Sequence, residues 1–162
     1  DRSGQAVLHV MVTHTDHRTW KRYAWNGGIC DPFIISWPNG IAAQDEIRDQ
    51  YCHVTDVTPT VSEMPGLELP TEVKRYTQWD LEATSVSYSF DDADAETRKD
   101  TQFSSMLGSC GIYHKDWKAN TVHPKIADWN NFSADEWALY HVNEDRSETH
   151  NLAAAHQRKS NS

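Results

Sequence analysis

Two short, nearly continuous apolar runs lie close to the start of the chain, and short alternating segments fill its second half. Ala6-Val7-Leu8-His9-Val10-Met11-Val12 and Pro32-Phe33-Ile34-Ile35-Ser36-Trp37 read as strands buried on both faces, which occur in sheets covered by helices. Asn26-Gly27-Gly28 marks a turn before the second run, and Pro38-Asn39-Gly40 ends it. Val54, Val57, Val61 and Met64 then fall at helical spacing, with Pro59 tolerable only in a first turn and Gly66 placed to end the helix. Beyond Pro70 the segments 102–107, 111–113, 117–122 and 137–142 alternate between turn-forming or charged stretches, the pattern of an antiparallel sheet with one wet face. The run 91–100 has no apolar periodicity and reads as a surface loop, and 152–156 begins a terminal helix. The expected architecture is the tail of an α/β domain over 1–78, followed by a small antiparallel-sheet subdomain with a C-terminal helix over 79–162.

Charge narrows the partners. A net charge of −9 in 162 residues argues against nucleic acid or an anionic membrane surface, since both demand a Lys/Arg excess. No apolar run approaches the length of a bilayer span. Apolar residues make up only 38 %, but seven Trp and six Tyr carry enough area to build a core. Cys30, Cys52 and Cys110 are odd in number and far apart, which fits free thiols in a reducing, cytoplasmic setting better than a disulfide framework. The first residue is Asp1 and a buried strand is expected within a few residues of it, so a longer parent protein with a missing N-terminal part is expected.

Three blocks, in order, carry a resemblance. The first runs from Lys21 through Gly27-Gly28-Ile29-Cys30-Asp31-Pro32 to Trp37-Pro38-Asn39-Gly40-Ile41. The second is His53-x-x-Asp56-x-x-Pro59-Thr60-x-x-Glu63-x-x-Gly66. The third joins Met106-Leu107-Gly108, Gly111-Ile112 and Trp117-Lys118 to Trp137-x-Leu139-Tyr140, Asp145-Arg146-Ser147-Glu148 and Asn151-Leu152-Ala153. Together they resemble the C-terminal portion of the sulfatase family, in particular its larger bacterial arylsulfatases, which share an alkaline-phosphatase-like α/β fold.

The resemblance implies hydrolysis of a small-molecule sulfate ester by a formylglycine made from Cys/Ser-x-Pro-x-Arg. It also implies a calcium ion among carboxylate and amide oxygens, and lysines and histidines around the anion. Lys21, six residues before Gly27, matches the sulfate-contacting lysine. His14-x-Asp16-His17 matches the metal motif, with Asp16 as ligand and His17 beside it. Lys21 follows Asp16 by only five residues, however, so a solvated loop competes with that reading. His53 and Asp56, one helical turn apart, take a supporting role at a helix start. Cys30-Asp31-Pro32 imitates the start of the nucleophile motif, but Ile34 stands in place of its arginine, so Cys30 is an Arg-to-Cys departure. Cys110 is another such departure, and Ala83 replaces the first residue of a usual Gly-x-Ser turn. No nucleophile lies in this chain, which by itself is expected to be inactive. Two further readings follow: a phosphodiesterase or phosphonate hydrolase of the same superfamily, and a non-catalytic, truncated sulfatase module.

Overall fold

The computed structural model describes residues 19, 21–123 and 132–156. The strand expected at 6–12 lies outside them. The chain groups into two compact units, one containing Ile34–Lys99 and the other residues 21–33 and 100 onward. The boundary expected at residue 78 falls within the first unit.

A short helix α1 (Asn26–Ile29) belongs to the second unit. In the Ile34–Lys99 unit, His53 opens a 3-10 turn, Val54–Asp56, that runs into helix α2 (Val57–Glu63). Pro59 sits in the first turn of α2, where a missing N–H costs nothing. Gly66, at φ +72, closes the helix: its N–H reaches Glu63 O at 2.9 Å while Leu67 N–H reaches Ser62 O at 2.8 Å. Strands β1 (Glu72–Val73) and β2 (Tyr76–Thr77) form a small hairpin that alternation did not announce. Every residue of 65–82 is exposed, Trp79 at 94 %. Across the unit, Arg48 donates from Nε to Ser89 O at 2.5 Å and from a terminal nitrogen to Phe90 O at 2.7 Å. Gln50 donates to Ala93 O and Ala95 O, both at 2.8 Å, so the expected loop 91–100 is tied down through its carbonyls.

One expectation is corrected. The run 32–37 is not a strand: it pairs with no other described segment, and Ile34 is 45 % exposed. A strand exists only where a neighbour completes its hydrogen-bond ladder, and apolar composition does not supply that neighbour.

The second unit is a meander in the order β3-β4-β5-β6: Thr101–Met106, Ser109–His114, Trp117–Thr121 and Trp137–His141, all antiparallel. Met106↔Ser109 and His114↔Trp117 pair around two-residue loops. Those loops place Leu107, Gly108, Lys115 and Asp116 at positive φ, the geometry that matches strand twist. Register sorts the side chains into two faces. Phe103, Ile112, Ala119 and Leu139 line up across one, which is partly wet, and near them Trp117 packs edge-on against His141 and against His156 of helix α3 (Ala153–His156). Leu152 N–H bonds Leu139 O at 2.8 Å, fixing the start of that helix to β6. The opposite face holds Ser109, Gly111, Tyr113, Lys118, Asn120 and Tyr140, all buried.

Gly111 is required by that packing. A Cβ there would lie 2.6 Å from Asn120 Oδ1 and 2.8 Å from Ala24 Cβ, with Ala24 O at 3.2 Å. We expect Gly111→Ala to destabilise the protein by about 1–3 kcal/mol, the usual cost of overpacking, in a thermal or urea melt. A melt indistinguishable from the parent would show that Ala24 does not sit against β4.

Candidate functional site

The segment after Lys21 is built onto the buried face of the sheet. Ala24 is 1 % exposed and Trp25 7 %. Helix α1 is one turn, closed by Gly28 N–H to Trp25 O at 2.8 Å and Cys30 N–H to Asn26 O at 2.8 Å. Trp25 occupies its N-cap position and offers no side-chain acceptor. A helix start with open N–H groups needs an acceptor from elsewhere. Here Glu148, 122 residues away in sequence, accepts from Asn26 N–H through Oε2 at 2.5 Å.

Glu148 is completely buried, and its other oxygen is equally engaged. Oε1 meets Lys118 Nζ at 3.0 Å and accepts from Asn120 Nδ2 at 2.7 Å. Lys118 Nζ also donates to Asn26 Oδ1 at 2.7 Å, and Asn26 Nδ2 donates to Arg146 O at 2.9 Å. Trp25 Nε1 reaches Tyr140 Oη at 3.4 Å. Burial pulls the Lys118 ammonium below its usual range, and the facing Glu148 carboxylate opposes that pull. Although Cys30 is partly open to solvent, surrounding protein pushes its thiol up, with Lys118 and Arg146 acting in the other direction. The result is a clamp of side-chain and backbone groups that fixes the double-glycine turn. Lys21 itself is exposed, five residues ahead of Asn26.

A second buried charge pair organises the Ile34–Lys99 unit. Asp56 is 1 % exposed. Its Oδ1 accepts from Thr84 N–H at 2.8 Å and meets Lys99 Nζ at 3.1 Å, while Oδ2 accepts from His53 N–H at 2.7 Å. His53 Nδ1 lies 3.4 Å from Thr55 N–H and 3.0 Å from Thr55 Oγ1, which completes a capping box. Thr60 extends the tie, its Oγ1 donating to Asp56 O at 2.6 Å and accepting from Val86 N–H at 3.0 Å. His53 and Asp56 thus meet at the helix start, each occupied by backbone groups.

Among the residues singled out from sequence, Asp16 and His17 lie outside the described residues. Lys21 falls in the second unit and His53 with Asp56 in the first. No group of three or more His, Cys, Asp or Glu side chains gathers among the described residues, so these do not fit the oxygen cage that calcium requires. No helix among them is long and apolar enough to cross a membrane. Among the described residues Cys30, Cys52 and Cys110 are not joined in a disulfide. Sequence reading gave no role to Lys118, Glu148, Asn120 or Asn26. Local alternation pointed the wrong way: Lys118 falls between Trp117 and Ala119, so the apolar pattern turns it outward, whereas the structure buries it on the opposite face.

No protein-family profile matches the chain. Steryl-sulfatase of Rattus norvegicus is 38 % identical over 56 residues, which is 35 % of this chain and 10 % of that protein. A structure described as BT33336S-sulf, from work on glycosaminoglycan metabolism by Bacteroides thetaiotaomicron, superposes on 87 % of this chain with a TM-score of 0.61 at 17 % identity. Ps i-CgsB superposes on 82 % with a TM-score of 0.58 at 19 % identity. BT4656, in complex with its substrate D-glucosamine-2-N,6-O-disulfate, superposes on 79 % with a TM-score of 0.54 at 20 % identity. The chain spans 10 % of the length of the curated relative and 29 %, 27 % and 26 % of the three structures. The fold is therefore the C-terminal part of a sulfatase-type α/β fold. The steryl-sulfatase match, over 35 % of the chain, is a similarity in sequence to the same kind of protein.

Two outcomes test these clusters. Removing one partner of a fully buried ion pair strands the other, so Glu148→Gln should cost about 3–5 kcal/mol, whereas Lys118→Met with Glu148→Met should cost much less than the two single changes added. Denaturant melts of the parent, Glu148→Gln, the two single Met variants and the double Met variant measure this, and additive losses would deny the coupling. The second outcome concerns pH. Burial, and then Lys99, hold the His53 pKa below its ordinary value of 6.5, with Asp56 opposing. As pH falls through that value the unfolded chain takes up the proton before the folded one, so stability drops on the acid side. His53→Asn keeps a cap acceptor but cannot titrate, and its melting temperature should fall less between pH 7 and pH 5 than that of the parent.

Proposed function

We propose that this chain is the C-terminal part of a sulfuric-ester hydrolase whose formylglycine nucleophile lies outside it. The observation that carries the reading is the coincidence of a sulfatase-type fold with a steryl-sulfatase sequence match and the ordered Lys21 to Gly-Gly block. In this reading the hydrated aldehyde attacks the sulfur and the ester alcohol leaves. The Lys21 ammonium stabilises charge on the sulfate oxygens as it builds in the transition state. His53 and Asp56 take a supporting role within their own unit, where they fix the start of α2. Cys30 is not the nucleophile. It follows the last turn of α1, and Ile34 stands where the nucleophile motif requires arginine. Calcium, the cation the resemblance implies, would draw its ligands from beyond the described residues, with Asp16 and His17 the candidates this chain offers. The substrate class is a sulfate ester of a small alcohol or sugar, and the sulfated sugar bound by BT4656 supports that class.

The test is hydrolysis of 4-nitrophenyl sulfate. The 162-residue chain should show no turnover, and a longer protein joining it to a Cys/Ser-x-Pro-x-Arg segment should show it. In that longer protein Lys21→Ala should lower kcat/KM by about 10²–10³-fold, the usual loss when one oxyanion-stabilising donor is removed. Turnover by the short chain, or an unaltered Lys21→Ala enzyme, would overturn the assignment. Faster hydrolysis of 4-nitrophenyl phosphate than of the sulfate would move it to the phosphodiesterase branch of the superfamily.

A further inference from the structure

The geometry points to Lys118, Glu148 and Asn26 as positioning residues for Lys21: the small sheet holds, through one buried ion pair, the turn that presents the sulfate-contacting ammonium. This rests on the sulfatase reading and adds to it a task for the C-terminal sheet. Three observations converge. First, the polar tethers of the turn described above lead to one small patch of the sheet unit. Asn26 N–H goes to Glu148 Oε2 at 2.5 Å, Asn26 Oδ1 receives Lys118 Nζ at 2.7 Å, and Asn26 Nδ2 reaches Arg146 O at 2.9 Å. Second, that surface is dry. Lys118 is 3 % exposed and Glu148 0 %, so water cannot replace a lost tether. Third, the packing beneath leaves no slack: Ala24 lies where a Cβ on Gly111 would be, and Trp25 is buried with its indole toward Tyr140.

Lys21 is separated from this clamp by Arg22 and Tyr23, neither of them buried. Its reach is therefore set by where Ala24 to Asn26 are held. A flexible lysine on a loose loop would explore many positions, and a displacement of about 1 Å from productive geometry can cost on the order of 10²-fold in rate. An ion pair with both ends buried and both carboxylate oxygens occupied removes that freedom at its root. Apolar packing would give similar stability, but would not dictate which backbone N–H the turn presents to the sheet.

The discriminating variant is Lys118→Met with Glu148→Met, which keeps the volume buried but deletes two of the three tethers, leaving only Asn26 Nδ2 to Arg146 O. Asn26→Ala is a second variant that leaves the ion pair in place. Amide hydrogen exchange on the 162-residue chain should show protection of Asn26, Gly28, Ile29 and Cys30 reduced by about 10- to 100-fold in either variant, with β4 and β5 still protected. In the longer, active protein the same variants should lower kcat while leaving KM within a few-fold. Lys21→Ala should then cost far less in the double-Met background than in the parent. A merely structural role predicts a different pattern, in which turnover follows melting temperature and Lys21→Ala costs the same factor in both backgrounds. That pattern, or unchanged exchange at Asn26 and Gly28, overturns the proposal. If the parent protein turns over no sulfate ester, the sulfatase reading falls, and the exchange comparison alone decides whether the pair anchors the turn.

Discussion

The Lys118–Glu148 pair is the constraint around which the second unit is arranged. Glu148 has no water to fall back on, so each of its oxygens must find donors within the protein. Those donors come from two places far apart in sequence: the backbone of Asn26, and β5, which supplies the ammonium of Lys118 and the amide of Asn120. Satisfying one carboxylate thereby joins the double-glycine turn, the sheet and the segment after β6. Apolar packing then follows the polar geometry, with Ala24 against Gly111 and Trp25 toward Tyr140. The first unit repeats the principle with Asp56, whose two oxygens gather the start of α2, Thr84 and Lys99.

What could be read in the sequence was whatever depends on local periodicity and turn chemistry. The helix from Val57, its stop at Gly66 and the strands around Trp117 and Trp137 all carry signals confined to a few neighbouring residues. The run 32–37 shows where that reasoning ends. Its composition suits a covered strand, but strand formation depends on a neighbour that no local pattern can specify. The hairpin at Glu72–Thr77 escaped notice for the opposite reason: two-residue strands are too short to alternate, and Lys74-Arg75 is not a familiar turn pair.

The clusters around Lys118 and Asp56 were only half legible. Motif resemblance brought Trp117-Lys118 and Asp145-Arg146-Ser147-Glu148 into view but gave no reason to join them. Charged residues are solvated on most surfaces, so a lysine and a glutamate 30 positions apart look unrelated until β5 and the segment after β6 bring them together in a buried place. Lys99 is a sharper case: it lies at the end of a stretch that reads as surface loop, yet it is 8 % exposed and pairs with Asp56. Lys21 is the reverse, a residue selected by its place before two glycines and left open to solvent.

The hairpin loops carry a further implication for how the sheet forms. Lys74, Arg75, Leu107, Lys115 and Asp116 all adopt left-handed backbone angles, with Gly108 alone in these loops avoiding the steric charge of a side chain. A left-handed L-residue costs roughly 1–2 kcal/mol, so such loops are poor seeds for a hairpin. Their geometry is imposed by the strands they connect. Chain reversal in this protein is thus sustained by cross-strand registry, which holds the bends in a geometry their own residues disfavour.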